Sequence, residues 1–324
     1  MSHSIVTLKN VSKHYYPNKS QVVKAVNQIS LDIYEGETFG LVGESGSGKS
    51  TTGKLLMKLE DITHGEISFM GQNIAKITQR KQLLDFHKNI QMVFQDPYSS
   101  LNPRMTVKEI IGGPMKVHGL VKDKKELNAA VTSLLKQVGL NPAYANRYPR
   151  EFSGGQCQRV GIARALALKP KLIIADEAIS ALDVSIQAQI VNLLRKLKRE
   201  ENLTYLFITH DLSMVKYISD RIGVMSQGRM VELASTEQIY QNPLHPYTES
   251  LLSAIPEAEP LQEKERDRMT YEGMTYSDSE LDELEFVEIA PEHFVLCLPS
   301  EVADYKRKYT KLRTRSYSKQ LVAI

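Results

Sequence analysis

Residues Gly43–Thr51 read GESGSGKST. Gly43, Gly48, Lys49 and Ser50 satisfy the pattern G-x-x-x-x-G-K-[ST], and the stretch lies between a short apolar run, Thr38–Val42, and Leu55, Leu56 and Leu59 at helical spacing. A strand, a glycine-rich turn and a helix in that order let the backbone curl so that several N–H groups face inward, and the helix N-terminus adds partial positive charge. Lys49 then supplies a cation for β- and γ-phosphates, and Ser50 a hydroxyl ligand for Mg2+. The whole stretch, Gly43, Glu44, Ser45, Gly46, Ser47, Gly48, Lys49, Ser50 and Thr51, is expected to hold a nucleoside triphosphate. By itself it names neither the base, the reaction nor the partner.

Working outward, Ile90–Phe94, Lys171–Ala175 and Thr204–Thr209 are further short apolar segments followed by polar loops, as buried parallel strands require. The loops after them would share one sheet edge with the phosphate loop. Leu172–Glu177 reads LIIADE, an apolar strand ending in two carboxylates: Asp176 suits Mg2+ coordination through water, and Glu177 suits proton removal from an attacking water. Phe207–His210, FITH, brings an imidazole to the end of a second such strand. Upstream, Ile5–Val11 and Val22–Ile33 read as antiparallel strands around the turn-rich YYPNKSQ. Ser185–Arg199 carries Ile186, Ile190, Leu193, Leu194 and Leu197 at helical spacing, and residues 97–168 read as mainly helical, an α subdomain inserted into the sheet domain.

With 324 residues the chain can bury a large core and carry an appendage. A net charge of +3 is too small to point to nucleic acid. Cys157 and Cys297 are far apart and match neither a disulfide framework nor a zinc site, so reduced cytosol is the expected compartment. The opening MSHSIVTLKNVSKHYY lacks the layout of a secretory signal, and no apolar run reaches the length of a membrane helix. After Ile255 the chain changes character, through EKERDR, the acidic SDSELDELEFVE and a short apolar HFVLCL to the basic YKRKYTKLRTRSYSK. A boundary is expected there, giving a nucleotide-binding domain over 1–255 and a C-terminal extension over 256–324.

Ser153–Arg159, SGGQCQR, preceded by Phe152, closely resembles the signature of ABC transporter ATPases. The resemblance implies an α/β P-loop NTPase of ABC type, with a mostly parallel core sheet, an antiparallel β subdomain and the inserted helical subdomain. It also implies that Ser153, Gly154, Gly155 and Gln156 clasp the γ-phosphate of ATP bound to an opposing subunit. Gln95 becomes the Q-loop residue, a catalytic and Mg2+-binding position and a hinge that reports γ-phosphate to the permease contact; Ser180–Asp183 the D-loop, with Asp183 coupling two sites; His210 the switch histidine; and Tyr15 the adenine-stacking aromatic, with Tyr16 as the fallback. Two positions depart from the family pattern: Phe152 stands for the usual Leu, and Ala178 follows Glu177 where Pro is usual.

QDPYSSLNPRMTV at 95–107 and NPLHPYTESLLSAIP at 242–256 are similar to the ATPases of oligopeptide, dipeptide and nickel importers, closest to the second ATPase subunit of an oligopeptide importer. That resemblance implies an ATP- and Mg2+-dependent subunit at the cytoplasmic face of the membrane. Its implied partners are permease subunits, a second cassette (a distinct paralogue rather than a second copy) and, indirectly, an extracytoplasmic solute-binding protein. A nickel or other metal-chelate importer is the alternative within the family, and a soluble ABC ATPase acting on nucleic acid the alternative outside it. No nucleic-acid partner is expected, because one compact helical block separates Gln95 from Ser153 and the basic Lys306–Lys319 stretch reads as a solvated or acid-paired tail. Only Cys297 lies beyond residue 256, so the iron-sulfur cluster that many relatives carry there is excluded.

Overall fold

A computed structural model describes residues 3–18, 21–255, 269–271, 273 and 276–322. Its twelve strands are β1 Ser4–Asn18, β2 Gln21–Tyr34, β3 Thr38–Val42, β4 His64–Phe69, β5 Gln72–Asn73, β6 Ile90–Val93, β7 Leu172–Asp176, β8 Thr204–Thr209, β9 Arg221–Ser226, β10 Arg229–Ser235, β11 Glu285–Ala290 and β12 His293–Cys297. They form an antiparallel sheet in the order β2-β1-β4-β5 and a main sheet in the order β11-β12-β10-β9-β3-β8-β7-β6. From β9 to β6 the main sheet is parallel, and β10, β12 and β11 extend it in antiparallel fashion.

The parallel strands are largely apolar because both faces are covered. Ile173, Ala175, Tyr205 and Phe207 enter the core shared with the helices, while Leu172, Ile174, Leu206 and Ile208 enter a second core, closed by Ile5, Leu8, Ile29 and Ile33 of the small sheet. Alternation along each strand thus sends successive side chains into two separate cores. Strand β7 runs one residue past the apolar run and takes Asp176 into the strand.

The inserted block contains the helices Val107–Val117, Lys124–Gln137 and Gly154–Leu166. Val131, Leu135 and Val138 line the buried face of the second, and Gly139, at φ +75°, ends it in the left-handed conformation glycine adopts without strain. The helix Val184–Glu201 follows the D-loop with Ile190, Leu193, Leu194 and Leu197 buried.

Beyond Ile255, the EKERDR run falls outside the described residues. The acidic stretch forms the helix Asp278–Glu283 and then β11, HFVLC forms β12, and the basic stretch forms the helix Val302–Val322. Pairing of Glu232 with Val295 and of Leu233 with Phe294 joins β12 to the main sheet, so this C-terminal segment shares the sheet of the nucleotide-binding motifs. In the basic helix Lys308 pairs with Glu249 at 2.8 Å and Arg307 with Asp304.

Candidate functional site

The phosphate loop joins β3 to the helix Lys49–Leu56. Gly43 and Gly48 have φ of +153° and +103°, and a Cβ added to either would lie 2.1 Å from the Met225 carbonyl oxygen or 2.2 Å from that of Ala25. Glycine at these two positions is therefore a steric requirement. Gly46, at φ +80°, has nothing within 4 Å of a notional Cβ, so the crest of the loop faces open space. Lys49, 3% exposed, donates from Nζ to the carbonyls of Gly43 at 2.8 Å and Glu44 at 2.7 Å and to Ser47 Oγ at 3.3 Å. Burial pulls its ammonium below the usual lysine range, and the carboxylates of Glu177, Asp176 and Glu44 oppose that shift.

Ser50 Oγ donates to Asp176 Oδ1 at 2.8 Å, bringing together the two side chains expected at Mg2+. Burial raises the Asp176 carboxyl above its usual range, with the Ser50 hydrogen bond opposing. Beside them, Gln95 Nε2 donates to Glu177 Oε2 at 2.8 Å, and His210 Nδ1 lies 3.3 Å from Glu177 Oε1. Three chain segments far apart in sequence thus meet on one carboxylate. Glu177 itself has φ +46°, an uncommon conformation for a non-glycine residue; its N–H donates to Ile208 O at 2.9 Å and its carbonyl accepts from Ser180 N and Oγ at 3.1 and 2.9 Å. These bonds and the buried Ala178 hold the turn.

The residues fit a triphosphate and Mg2+. Gly48, at the N-cap of the helix Lys49–Leu56, offers no side chain to its first-turn N–H groups, which remain available to an anion. A hydroxyl, a carboxylate and an amide suit Mg2+, which takes few protein ligands and completes its shell with phosphate oxygens and water.

Tyr15, on β1, donates its hydroxyl to Glu60, has Thr51 as a second polar neighbour and carries Lys13 Nζ 5.0 Å from its ring centroid. Tyr16 is 64% exposed. The signature packs against the D-loop. Ser153 caps the helix Gly154–Leu166 by accepting from Gln156 N at 3.4 Å, while Gln156 Oε1 accepts from Ser153 N at 3.0 Å. A Cβ on Gly154 would approach Leu182 at 3.3 Å, and one on Gly155 would meet Ile186 at 2.5 Å, so the small residues let the signature helix close on the D-loop. Asp183 Oδ1 caps the helix Val184–Glu201 through Ile186 N at 3.0 Å and Ser185 Oγ at 2.8 Å; the Ser185 bond, then the Ile186 amide, hold its carboxyl below the usual range.

Motif reading missed several connecting side chains. Tyr98 Oη donates to the Phe152 carbonyl at 3.2 Å, tying the segment after Gln95 to the signature. Buried Gln158 donates to Phe94 O at 3.4 Å, and Arg164 to Ser100 O at 2.7 Å. Tyr98 and Ser100 fall within the QDPYSSLNP run already singled out, which was the available signal.

Fold and site together define a P-loop ATPase of the ABC class. The family model described as ABC transporter matches residues 26–180, and the one described as the C-terminal region of oligopeptide/dipeptide transporters matches 231–281. The oligopeptide transport ATP-binding protein OppF of Bacillus subtilis is 56% identical over 301 residues, covering 93% of this chain and 98% of that protein. The dipeptide transport ATP-binding protein DppF of Lactococcus lactis is 53% identical over 308 residues, covering 94% and 98%. Among solved structures, a dimeric ATP-binding cassette in a post-hydrolysis state with ADP and phosphate is 32% identical, with a TM-score of 0.65 over 71% of this chain and 98% of that one. The chain belongs to the ATP-binding proteins of oligopeptide and dipeptide ABC transporters.

Proposed function

We propose that this chain hydrolyses ATP to energise uptake of oligopeptides or dipeptides through a membrane permease, working from the cytoplasmic face as a peripheral subunit. The observation that carries the hydrolytic reading is the meeting of Gln95 and His210 on Glu177, next to the Ser50–Asp176 pair. Among the described residues no helix is long and apolar enough to cross a membrane, and in this reading separate permease subunits carry the peptide.

In this reading Lys49 and the loop amides from Ser45 to Thr51 bind the phosphates, Tyr15 stacks on adenine, and Ser50, Gln95 and Asp176 hold Mg2+. Bound Mg2+ supplies charge neutralisation on the transferred phosphoryl group. Glu177 removes a proton from the attacking water, Gln95 orients that carboxylate, and His210 donates towards the γ-phosphate position. Ser153, Gly154, Gly155 and Gln156 serve the site of an opposing cassette, which is supported by the dimeric structural relative. Asp183, at the junction of signature and D-loop, couples the two sites. The opposing cassette is a distinct paralogue, and an external binding protein delivers the peptide.

Affinity purification of the full chain from membranes tests this assembly. Recovery of permease subunits and a second ATPase, with ATPase activity that responds to them, is the expected result. RNA in place of membrane proteins would overturn it.

A further inference from the structure

The NPLHPYT stretch at 242–248 takes no part in the chemistry above, yet its tyrosine reaches the phosphate loop. Tyr247, 3% exposed in the helix Pro246–Ser253, accepts through Oη from the Glu44 N–H at 3.0 Å. Lys49 Nζ and Ser47 N hold the carbonyl of the same residue at 2.7 and 3.2 Å. Glu44 is thus fixed on its amide side by a residue 203 positions away and on its carbonyl side from within the loop. With its N–H committed to Tyr247, Glu44 offers that amide to the loop's architecture, leaving phosphate contact to the amides that follow.

Tyr247 is itself held from the C-terminal side. Its N–H donates to His245 Nδ1 at 3.1 Å, the His245 N–H donates to Glu232 Oε2 at 2.9 Å, and Glu232 Oε1 lies 2.7 Å from His293 Nε2 on β12. Tyr271 covers its ring, with centroids 5.3 Å apart. Burial pushes the phenol up to about 12, so it remains a neutral acceptor at physiological pH.

We propose that Tyr247 is a positioning residue for ATP: it preorganises the phosphate loop at Glu44 and makes nucleotide affinity depend on the docking of β12 through Glu232 and His245. The proposal rests on the assignment of Gly43–Thr51 as the ATP site. A loop already fixed at its first turn loses less conformational freedom when it closes on a ligand. Loss of one such hydrogen bond predicts roughly five-fold weaker binding.

The test is titration of the full chain with Mg·ATP, comparing Tyr247→Phe with the unsubstituted protein, together with hydrogen exchange at the Glu44 amide before nucleotide is added. A rise of three-fold or more in Kd, a parallel rise in KM with kcat changed less than two-fold, and a slowly exchanging Glu44 amide are expected. A Kd within two-fold of the unsubstituted value would overturn the proposal, and so would a Glu44 amide exchanging as fast as an open loop. The exchange measurement decides the matter should the variant fail to fold. Lys49→Ala in the same titration separates this idea from its premise: if that variant still binds ATP tightly, the site assignment fails whatever Tyr247 does.

Discussion

Replacing Glu177 with glutamine should leave ATP binding intact and nearly abolish turnover. The carboxylate uses one oxygen for Gln95 at 2.8 Å and turns the other towards His210 at 3.3 Å. A glutamine can keep both neighbours, presenting its carbonyl to Gln95 and its amide towards His210 Nδ1. It cannot accept a proton from water. General-base catalysis contributes roughly 10²- to 10⁴-fold, or about 3–5 kcal/mol of barrier. Phosphate release at saturating Mg·ATP should therefore fall at least 100-fold, while the Kd for ATP stays within about three-fold and the melting temperature within a few degrees. Retention of more than about a tenth of normal turnover would mean that the carboxylate is dispensable and is not the general base.

Gly48→Ala should be among the most damaging single-methyl changes: with φ +103° and a carbonyl oxygen 2.2 Å from the new Cβ, about 2–4 kcal/mol of stability and measurable ATP binding should be lost, as read by urea unfolding and nucleotide titration. Gly155→Ala would push the signature helix off Ile186, 2.5 Å from the new Cβ, and should lower turnover more than ATP affinity in the assembled transporter. His245 is pulled down to about 4 by burial, against 6.5 when unfolded. Its folded pKa is depressed, so the stability it contributes is present above pH 6.5 and drains away towards pH 4, by about 2 kcal/mol between pH 7 and pH 5. Urea unfolding at the two pH values should show that loss shrinking in His245→Asn, whose side-chain oxygen can still accept from Tyr247 N.

The parts of the fold legible in the sequence were those in which burial on both faces removes ambiguity. Thr38–Val42 and Thr204–Thr209 are continuous apolar runs between polar loops, and the strands β3 and β8 have these same bounds. The β9–β10 hairpin was overlooked although Gln227 and Gly228, with φ of +47° and +80°, form the two-residue positive-φ turn such hairpins use; the usual cue is Asn-Gly, and Gln-Gly is a weaker one. Strands β11 and β12 were hidden differently. HFVLC announces a strand, but its partner Glu232–Leu233 lies some 60 residues earlier, and nothing in local alternation encodes a pairing at that distance. Lys49, Asp176 and Glu177 were legible because phosphate chemistry constrains residue type and spacing together. Tyr247 was not, since a buried helical tyrosine has the same local pattern whether it supports a phosphate loop or only fills a core.

Transport itself is tested most directly by ATP-driven accumulation of a labelled oligopeptide in vesicles containing this chain with the proposed permease, second ATPase and solute-binding protein. Accumulation should require Mg·ATP and disappear when Glu177→Gln replaces the unsubstituted chain. Accumulation that persists with the variant, or uptake of a nickel chelate in place of peptide, would contradict it.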